Sequence, residues 1–275
     1  MNVKETDAQV ERCLDSIREL SADVVNTLLA LSPEAWDGPT NCAPWRVRDL
    51  AAHIVSSGEG FVDSIGQGLA GSVEPSVSIE ERNRRHAELQ SANSETVARA
   101  LQAVTVAFEG LYAGLSDGQM AAICFHRRGN RSVRWYAAHR LAEVAFHAWD
   151  LHFSLGHAPR LDDTVASLLL PTLLESNAPR TYAAGLTPQR GSGERYLFVV
   201  GDDTLARWLV TIDPDKLETR RGAASADLTI TGPASALAML IYGRLDLDAA
   251  AQSGALRFDG DRALADRFSL IFPRP

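Results

Sequence analysis

The 275-residue sequence predicts an α+β protein in two parts, a four-helix bundle followed by a small α+β domain. Two observations carry this reading. Up to Gly156, long stretches repeat apolar residues at i, i+3 and i+4, the period of helices that bury one face. Beyond Gly156 the texture changes to short runs rich in β-branched and aromatic residues, followed by short helical patterns.

The first helix carries Val10, Cys13, Leu14, Ile17, Val24, Val25, Leu28 and Leu29 on one stripe, and residues 33–44 form a punctuated loop. A second helix follows through Val47, Leu50, Ala51, Ile54, Val55, Phe61, Val62 and Ile65. The third starts at a capping box, Ser78-Ile79-Glu80-Glu81, and continues through Val97, Leu101, Val104, Phe108, Leu111 and Leu115. The fourth surrounds Glu143 and His147 and stops near Gly156. A helix over 163–174 bridges to a loop at 179–193 rich in Pro, Gly and Thr. Strands are predicted at 196–200, 208–212 and 226–231, then a helix at 234–242, a short strand at 256–258 and a last helix at 261–271. The expected domains are therefore 1–157 for the bundle, 158–194 for the bridging helix and linker, and 195–275 for the α+β domain.

Composition narrows the function classes. A net charge of -8 argues against nonspecific nucleic-acid binding, which relies on Lys and Arg to release counterions, but leaves room for a small anionic substrate held by local arginines. Cys13, Cys42 and Cys124 are odd in number and widely spaced, without C-x-x-C, a pattern of reduced thiols in a cytoplasmic protein. The polar start, Met1 to Asp7, is unlike a signal peptide, and no stretch approaches the length of a membrane span. The expected partners are small molecules, with no nucleic acid and no membrane, in a monomer or small homo-oligomer.

His53, Glu143 and His147 carry the most chemistry. Glu143 and His147 are four apart on one helix, so their side chains project from one side a turn apart. Two imidazoles and one carboxylate match the protein ligands of a catalytic zinc or similar divalent ion, with one coordination position open. Around the fourth helix the apolar stripe runs through Ala137, Leu141, Val144, Ala148, Leu151 and Leu155, flanked by a polar strip of Tyr136, Arg140, Glu143, His147 and Asp150. His53 flanks the stripe of the second helix, so the groups are expected to meet at the rim of the bundle core. By spacing alone, an ordinary i, i+4 surface pair is the commoner outcome for Glu-x-x-x-His.

The surrounding segments decide between these readings. Residues 41–53, from Asn41-Cys42-Ala43-Pro44-Trp45 to His53, and residues 143–151, from Glu143 to Leu151, resemble the mycothiol-dependent maleylpyruvate isomerase family. So do Ala226-Asp227-Leu228-Thr229-Ile230-Thr231-Gly232-Pro233, Leu240-Ile241-Tyr242-Gly243-Arg244 and the run from Gly254 to Asp261. The resemblance covers nearly the whole chain. It implies an actinobacterial enzyme with a DinB-like four-helix domain and a sterol-carrier-like α+β domain. It further implies metal ligands His53, Glu143 and His147, and mycothiol as cosubstrate or cofactor. The implied reaction is thiol-assisted cis–trans isomerisation or S-transfer. Arg244 falls where the family's isomerases carry a substrate-binding arginine, and the smaller domain is expected to close over the bundle rim and supply it.

Other residues are weighed individually. Asp150 is a catalytic candidate that orients a ligand or a polar substrate group. Arg82 offers a bidentate fork for a substrate carboxylate. The basic run His126 to Arg131 precedes the fourth helix and suits either solvent or an anionic substrate. Cys42 belongs to the loop signature and has no evident base beside it. His86, His139, His152 and His157 read as surface or helix-end residues. Zinc is the expected ion, although nickel and iron suit the same donors. Two other classes stay open: a noncatalytic module in which the α+β domain holds an apolar ligand, and a metal-sensing regulator. The regulator needs a closed four-ligand site and is disfavoured because no fourth Cys or His is expected near the three ligands.

Overall fold

The computed structural model describes residues 3–201, 206–222 and 224–273, with the side chains of the first helix described from residue 7. Two compact units divide between Arg160 and Leu161.

The first unit contains α1 (Val3–Ala30), α2 (Pro33–Trp36), α3 (Val47–Leu69), α4 (Ile79–Ser91), α5 (Ser94–Tyr112) and α6 (Asp117–Met120). A two-stranded hairpin of β1 (Ile123–Cys124) and β2 (Arg131–Ser132) then leads into α7 (Val133–Ser154). α1, α3, α5 and α7 form the bundle, with α1 and α3 each packed against both α5 and α7. Val24, Leu28, Leu50, Ile54, Val97, Leu101, Val144 and Leu151 share one buried core.

Two expectations change here. The single third helix is two helices, broken at Ala92 and Asn93. Asn93 caps α5, its side chain accepting the Thr96 N–H at 2.8 Å, and the extended Ala92 carbonyl accepts the Trp36 indole N–H at 3.2 Å. The polar strip of α7 is also deeper than its pattern implies. Tyr136, Arg140 and Asp150 are at most 1 % exposed, because α1 and α3 pack along this helix and its hairpin folds back upon it.

The second unit opens with α8 (Asp163–Thr172), a π-helical turn at Leu173–Asn177 and α9 (Ala178–Ala183). Residues 178–183 are thus helical where a loop was expected from 179 onward. Pro171, which has no N–H to donate, sits just before the widened π turn. The sheet consists of β3 (Glu194–Val200), β4 (Arg207–Ile212), β5 (Leu217–Arg221), β6 (Leu228–Gly232) and β7 (Arg257–Gly260), in the order β5-β4-β3-β6-β7. β3 and β6 are parallel; the other pairs are antiparallel. α10 (Ala234–Ile241), α11 (Leu247–Gln252) and α12 (Arg262–Ile271) complete the unit. α10 packs on α8, whereas α12 packs on β6 and β7. Among the described residues, no helix is long and apolar enough to cross a membrane.

Candidate metal centre

The site is built on the entry to α3 and the middle of α7. Before α3, Thr40 turns the chain: its N–H and hydroxyl both donate to the Trp45 carbonyl, at 3.0 and 2.7 Å. The Ala43–Pro44 peptide within this turn is cis. Asp49 accepts the Arg46 N–H at 2.8 Å, satisfying a donor that the helix start leaves open. The turn sets Trp45 against His53, with ring centroids 4.8 Å apart. On α7, the spacing of Glu143, His147 and Asp150 aims all three toward the same region.

Glu143 Oε2 lies 3.2 Å from His53 Nε2 and 3.9 Å from His147 Nε2. One donor atom from each of the three residues falls within 4.8 Å of the others. His147 is oriented from behind, its Nδ1 lying 3.1 Å from Asp150 Oδ2. The buried Asp150 carboxylate is itself clamped by Asn41, whose Nδ2 donates to Oδ1 at 2.9 Å. A proton on Nδ1 directed at Asp150 would leave the Nε2 lone pair of His147 facing Glu143. Burial alone would raise the Glu143 carboxyl. The hydrogen bond from His53 and the positive potentials of His139, His147 and His53 overturn that and hold it well below the usual carboxylate range. Two imidazole nitrogens and a carboxylate oxygen therefore converge, and with the imidazoles deprotonated toward the centre this donor set fits a borderline divalent ion such as zinc.

Other charges lie nearby. Arg140 is fully buried, donating through Nη1 to the Ile54 carbonyl at 2.8 Å and to Ser57 Oγ at 3.3 Å. Burial pulls its guanidinium pKa down to about 10, against the opposing pull of Glu143. A cavity of about 300 Å³ is lined by His53 and Glu143 together with Arg82, Arg127, Phe61 and His139. Arg82 is thus brought to the same cavity as the cluster, with Asp63 as an ion partner at 3.6 Å. Arg127 contributes the tip of the basic hairpin.

The histidines correct the sequence reading in part. His139 is buried, stacked on Trp135 at 4.3 Å between ring centroids, and was expected at the surface. His86 is half-buried beside Ser56 Oγ at 3.0 Å; burial, then the neighbouring His53, lowers its pKa. His152 and His157 pair at the end of α7, with His152 also 2.6 Å from Asp23, in keeping with helix-end positions. Arg244 lies in the second unit just after α10, donating to the Tyr242 carbonyl at 2.8 Å.

Cys42 is the residue that sequence spacing missed. Its Sγ stands 3.2 Å from Asp150 Oδ2, and Cys42, His147 and Asp150 form a second group of converging donors. The expectation that no further Cys or His stands near the ligands is therefore corrected, with Cys42 approaching on the Asp150 side of His147. The signal lay in Asn41-Cys42: a short turn before α3 must bring both residues to the same buried carboxylate.

Fold and donor cluster together define a two-domain protein with a candidate metal centre inside a helical bundle. Residues 17–152 match the model of the mycothiol maleylpyruvate isomerase N-terminal domain, and residues 182–273 match the SCP-2 sterol transfer family. The first unit therefore belongs with the mycothiol maleylpyruvate isomerase N-terminal domains and the second with the SCP-2 sterol transfer family. A crystal structure of a mycothiol-dependent maleylpyruvate isomerase superposes over 97 % of this chain and 96 % of that chain, at a TM-score of 0.63 and 14 % identity. A histidine-to-alanine mutant of that enzyme superposes equally well, and the likeness establishes a shared fold. An uncharacterized protein of Mycobacterium tuberculosis, matched in two strains, is 26 % identical over 129 residues. That match covers 47 % of this chain, which spans about 59 % of the length of these curated relatives.

Proposed function

We propose that the chain is a mycothiol-dependent metalloenzyme that isomerises a small anionic, unsaturated substrate, with His53, Glu143 and His147 as the metal ligands. The observation that carries this is the approach of two imidazole nitrogens to one carboxylate oxygen, with a cavity alongside. The match of the first unit to the mycothiol maleylpyruvate isomerase N-terminal domain supports mycothiol as the thiol. A divalent ion held by these donors lowers the pKa of a coordinated thiol and makes thiolate available near neutral pH.

The chain's own residues serve distinct ends. Asp150 keeps the Nδ1 proton of His147 in place and so fixes the tautomer. Glu143 stays ionised across the physiological range. Arg82 and Arg127 offer guanidinium groups to a substrate carboxylate in the cavity. In the reaction, the thiolate sulfur adds to one carbon of a cis double bond and the electron pair moves onto the conjugated carbonyl. Rotation about the new single bond follows. The pair then returns, the carbon–sulfur bond breaks, and the trans product leaves with the thiol regenerated. S-transfer would instead retain the carbon–sulfur bond and consume the thiol. The match to the SCP-2 sterol transfer family supports a second reading, a noncatalytic binding role for the second unit.

The test uses metal content and thiol-dependent turnover together. Wild-type protein should retain about one divalent ion per chain, and His147→Ala should lose it. With maleylpyruvate as the probe, turnover should require mycothiol in catalytic amount and vanish in His53→Ala. Arg244→Ala, on the proposal that Arg244 meets a substrate anion, should leave metal content intact and weaken kcat/KM by about 1.5–3 kcal/mol. Equal metal content in wild type and His147→Ala, or turnover without any low-molecular-weight thiol, overturns the reading.

A further inference from the structure

His147 is addressed by donors from two sides. In front, its Nε2 faces Glu143 and His53. Behind, its Nδ1 lies 3.1 Å from Asp150 Oδ2, which is 3.2 Å from Cys42 Sγ. Cys42, His147 and Asp150 each offer one donor atom, and these atoms all fall within 4.8 Å of one another. Tetrahedral coordination by sulfur, nitrogen and oxygen at about 2.0–2.3 Å needs donor separations of this order. Asp150 is fully buried and fixed by Asn41, so its Oδ2 is already positioned, while Cys42 is half-buried and within reach of solvent.

We propose that Cys42, His147 Nδ1 and Asp150 form a second cation position, back to back with the first on the same imidazole and selective for a thiophilic ion. The donor sets differ in softness: the front offers two imidazoles and a carboxylate, the rear a thiolate, an imidazole and a carboxylate. A neutral imidazole has one lone pair, so His147 serves one position at a time. Occupying the rear site releases the Cys42 thiol proton to solvent. His147 gives up its Nδ1 proton and takes one at Nε2, remaining neutral. The front centre then loses a ligand. A soft ion in excess therefore switches the front centre off through a shared ligand. The proposal rests on the reading of the front ligands only for this exclusion; the rear donors stand on their own geometry.

Cadmium is the probe, because its bond to thiolate has a distinct ultraviolet absorption and a cadmium-113 chemical shift unlike that of nitrogen- and oxygen-bound ion. The metal-free full chain is titrated alongside Cys42→Ser and Glu143→Gln. Wild type should develop the thiolate signal and Cys42→Ser should lose it while still binding cadmium by equilibrium dialysis. Cys13 and Cys124 are buried, their thiols pushed up to about 12 and about 11, and should contribute nothing. Glu143→Gln should keep the signal and show it at lower cadmium, since the competing front site is weakened. Preloading wild type with zinc should raise the cadmium needed for half-signal. Cadmium bound without a thiolate shift in wild type overturns the rear site and leaves the front centre standing. A signal that survives in Cys42→Ser, or that is indifferent to zinc preloading, overturns the shared-ligand arrangement. The wild-type cadmium-113 shift decides the thiolate question even where a substitution disturbs folding. Failure of the front reading is recognised separately, by zinc binding that His53→Ala and Glu143→Gln leave unchanged.

Discussion

The two units place their polar groups in opposite ways. In the second, Tyr196, Phe198, Ile230, Leu237, Phe268 and Phe272 make an apolar interior, with Phe268 and Phe272 stacked 4.8 Å apart. Its buried acid, Glu194, is answered locally by the Ser192 hydroxyl at 3.0 Å. In the first unit, α7 carries Arg140 and Asp150 fully buried and His139 nearly so. Arg140 Nε and Nη2 meet no hydrogen-bond partner among the described residues. Burying an incompletely satisfied charge costs free energy that apolar packing elsewhere must offset. The buried charges of α7 stand within a few residues of Glu143 and His147, so stability and the candidate site draw on one helix. Among the described residues of the second unit, Glu194 is the one buried charged group, and it is paired locally.

The largest expected effect lies where that contrast is sharpest. Phe268→Ala should cost the second unit about 3–5 kcal/mol, the range for an aromatic removed from a packed interior. Hydrogen exchange resolved by segment should show the loss in β3, β6 and α12. A loss under about 1 kcal/mol would mean that this interior is loosely packed and the contrast is weaker than drawn.

In the first unit, the matching probe is Gly58. A Cβ there would stand 2.8 Å from Arg140 Cζ, and the guanidinium is held by the Ile54 carbonyl. Gly58→Ala should therefore cost about 1–3 kcal/mol, the usual cost of overpacking. Arg140→Met keeps most of the bulk and removes the charge, so it should leave stability unchanged or raise it. If chemical denaturation instead shows Arg140→Met to be as damaging as Gly58→Ala, the buried charge is itself a stabilising element.

The sequence signals differ in the same way. The bundle and the His53 segment are legible because Val47, Leu50, Ile54 and Val55 keep strict helical spacing after a proline-containing turn. The burial of Arg140 and Asp150 is not, because a polar strip has one appearance in the sequence whether water or another helix covers it. Asn93 did carry the signal that splits α4 from α5, but the apolar period on both sides masked it. β5 went unread because Leu217-Glu218-Thr219-Arg220-Arg221 is a polar edge strand whose pairing with β4 supplies what its composition lacks. Proximity of Cys42 to His147 depends on how a turn folds, a matter that periodicity does not address.

The smallest expected effect tests whether the polar groups of the second unit are answered as locally as the geometry indicates. Burial pushes the Glu194 carboxyl up, but hydrogen bonds from the Ser192 and Glu194 backbone and the Ser192 hydroxyl, with Arg267, leave it lowered overall. Asp227 is likewise lowered, chiefly by its hydrogen bond with the Arg195 side chain. A carboxylate whose pKa is depressed by folding contributes stability above its unfolded value, about 4.3 for Glu, and that contribution disappears as pH falls through the folded value. The second unit should therefore lose stability on acidification below about pH 4. Glu194→Gln, which no longer titrates, should flatten this slope while lowering stability at neutral pH by about 1.5 kcal/mol, one charge-assisted hydrogen bond. Segment-resolved exchange at several pH values measures both. An acid slope unchanged in Glu194→Gln would assign it to Asp227 and other carboxylates, and would remove Glu194 from the contrast between the units.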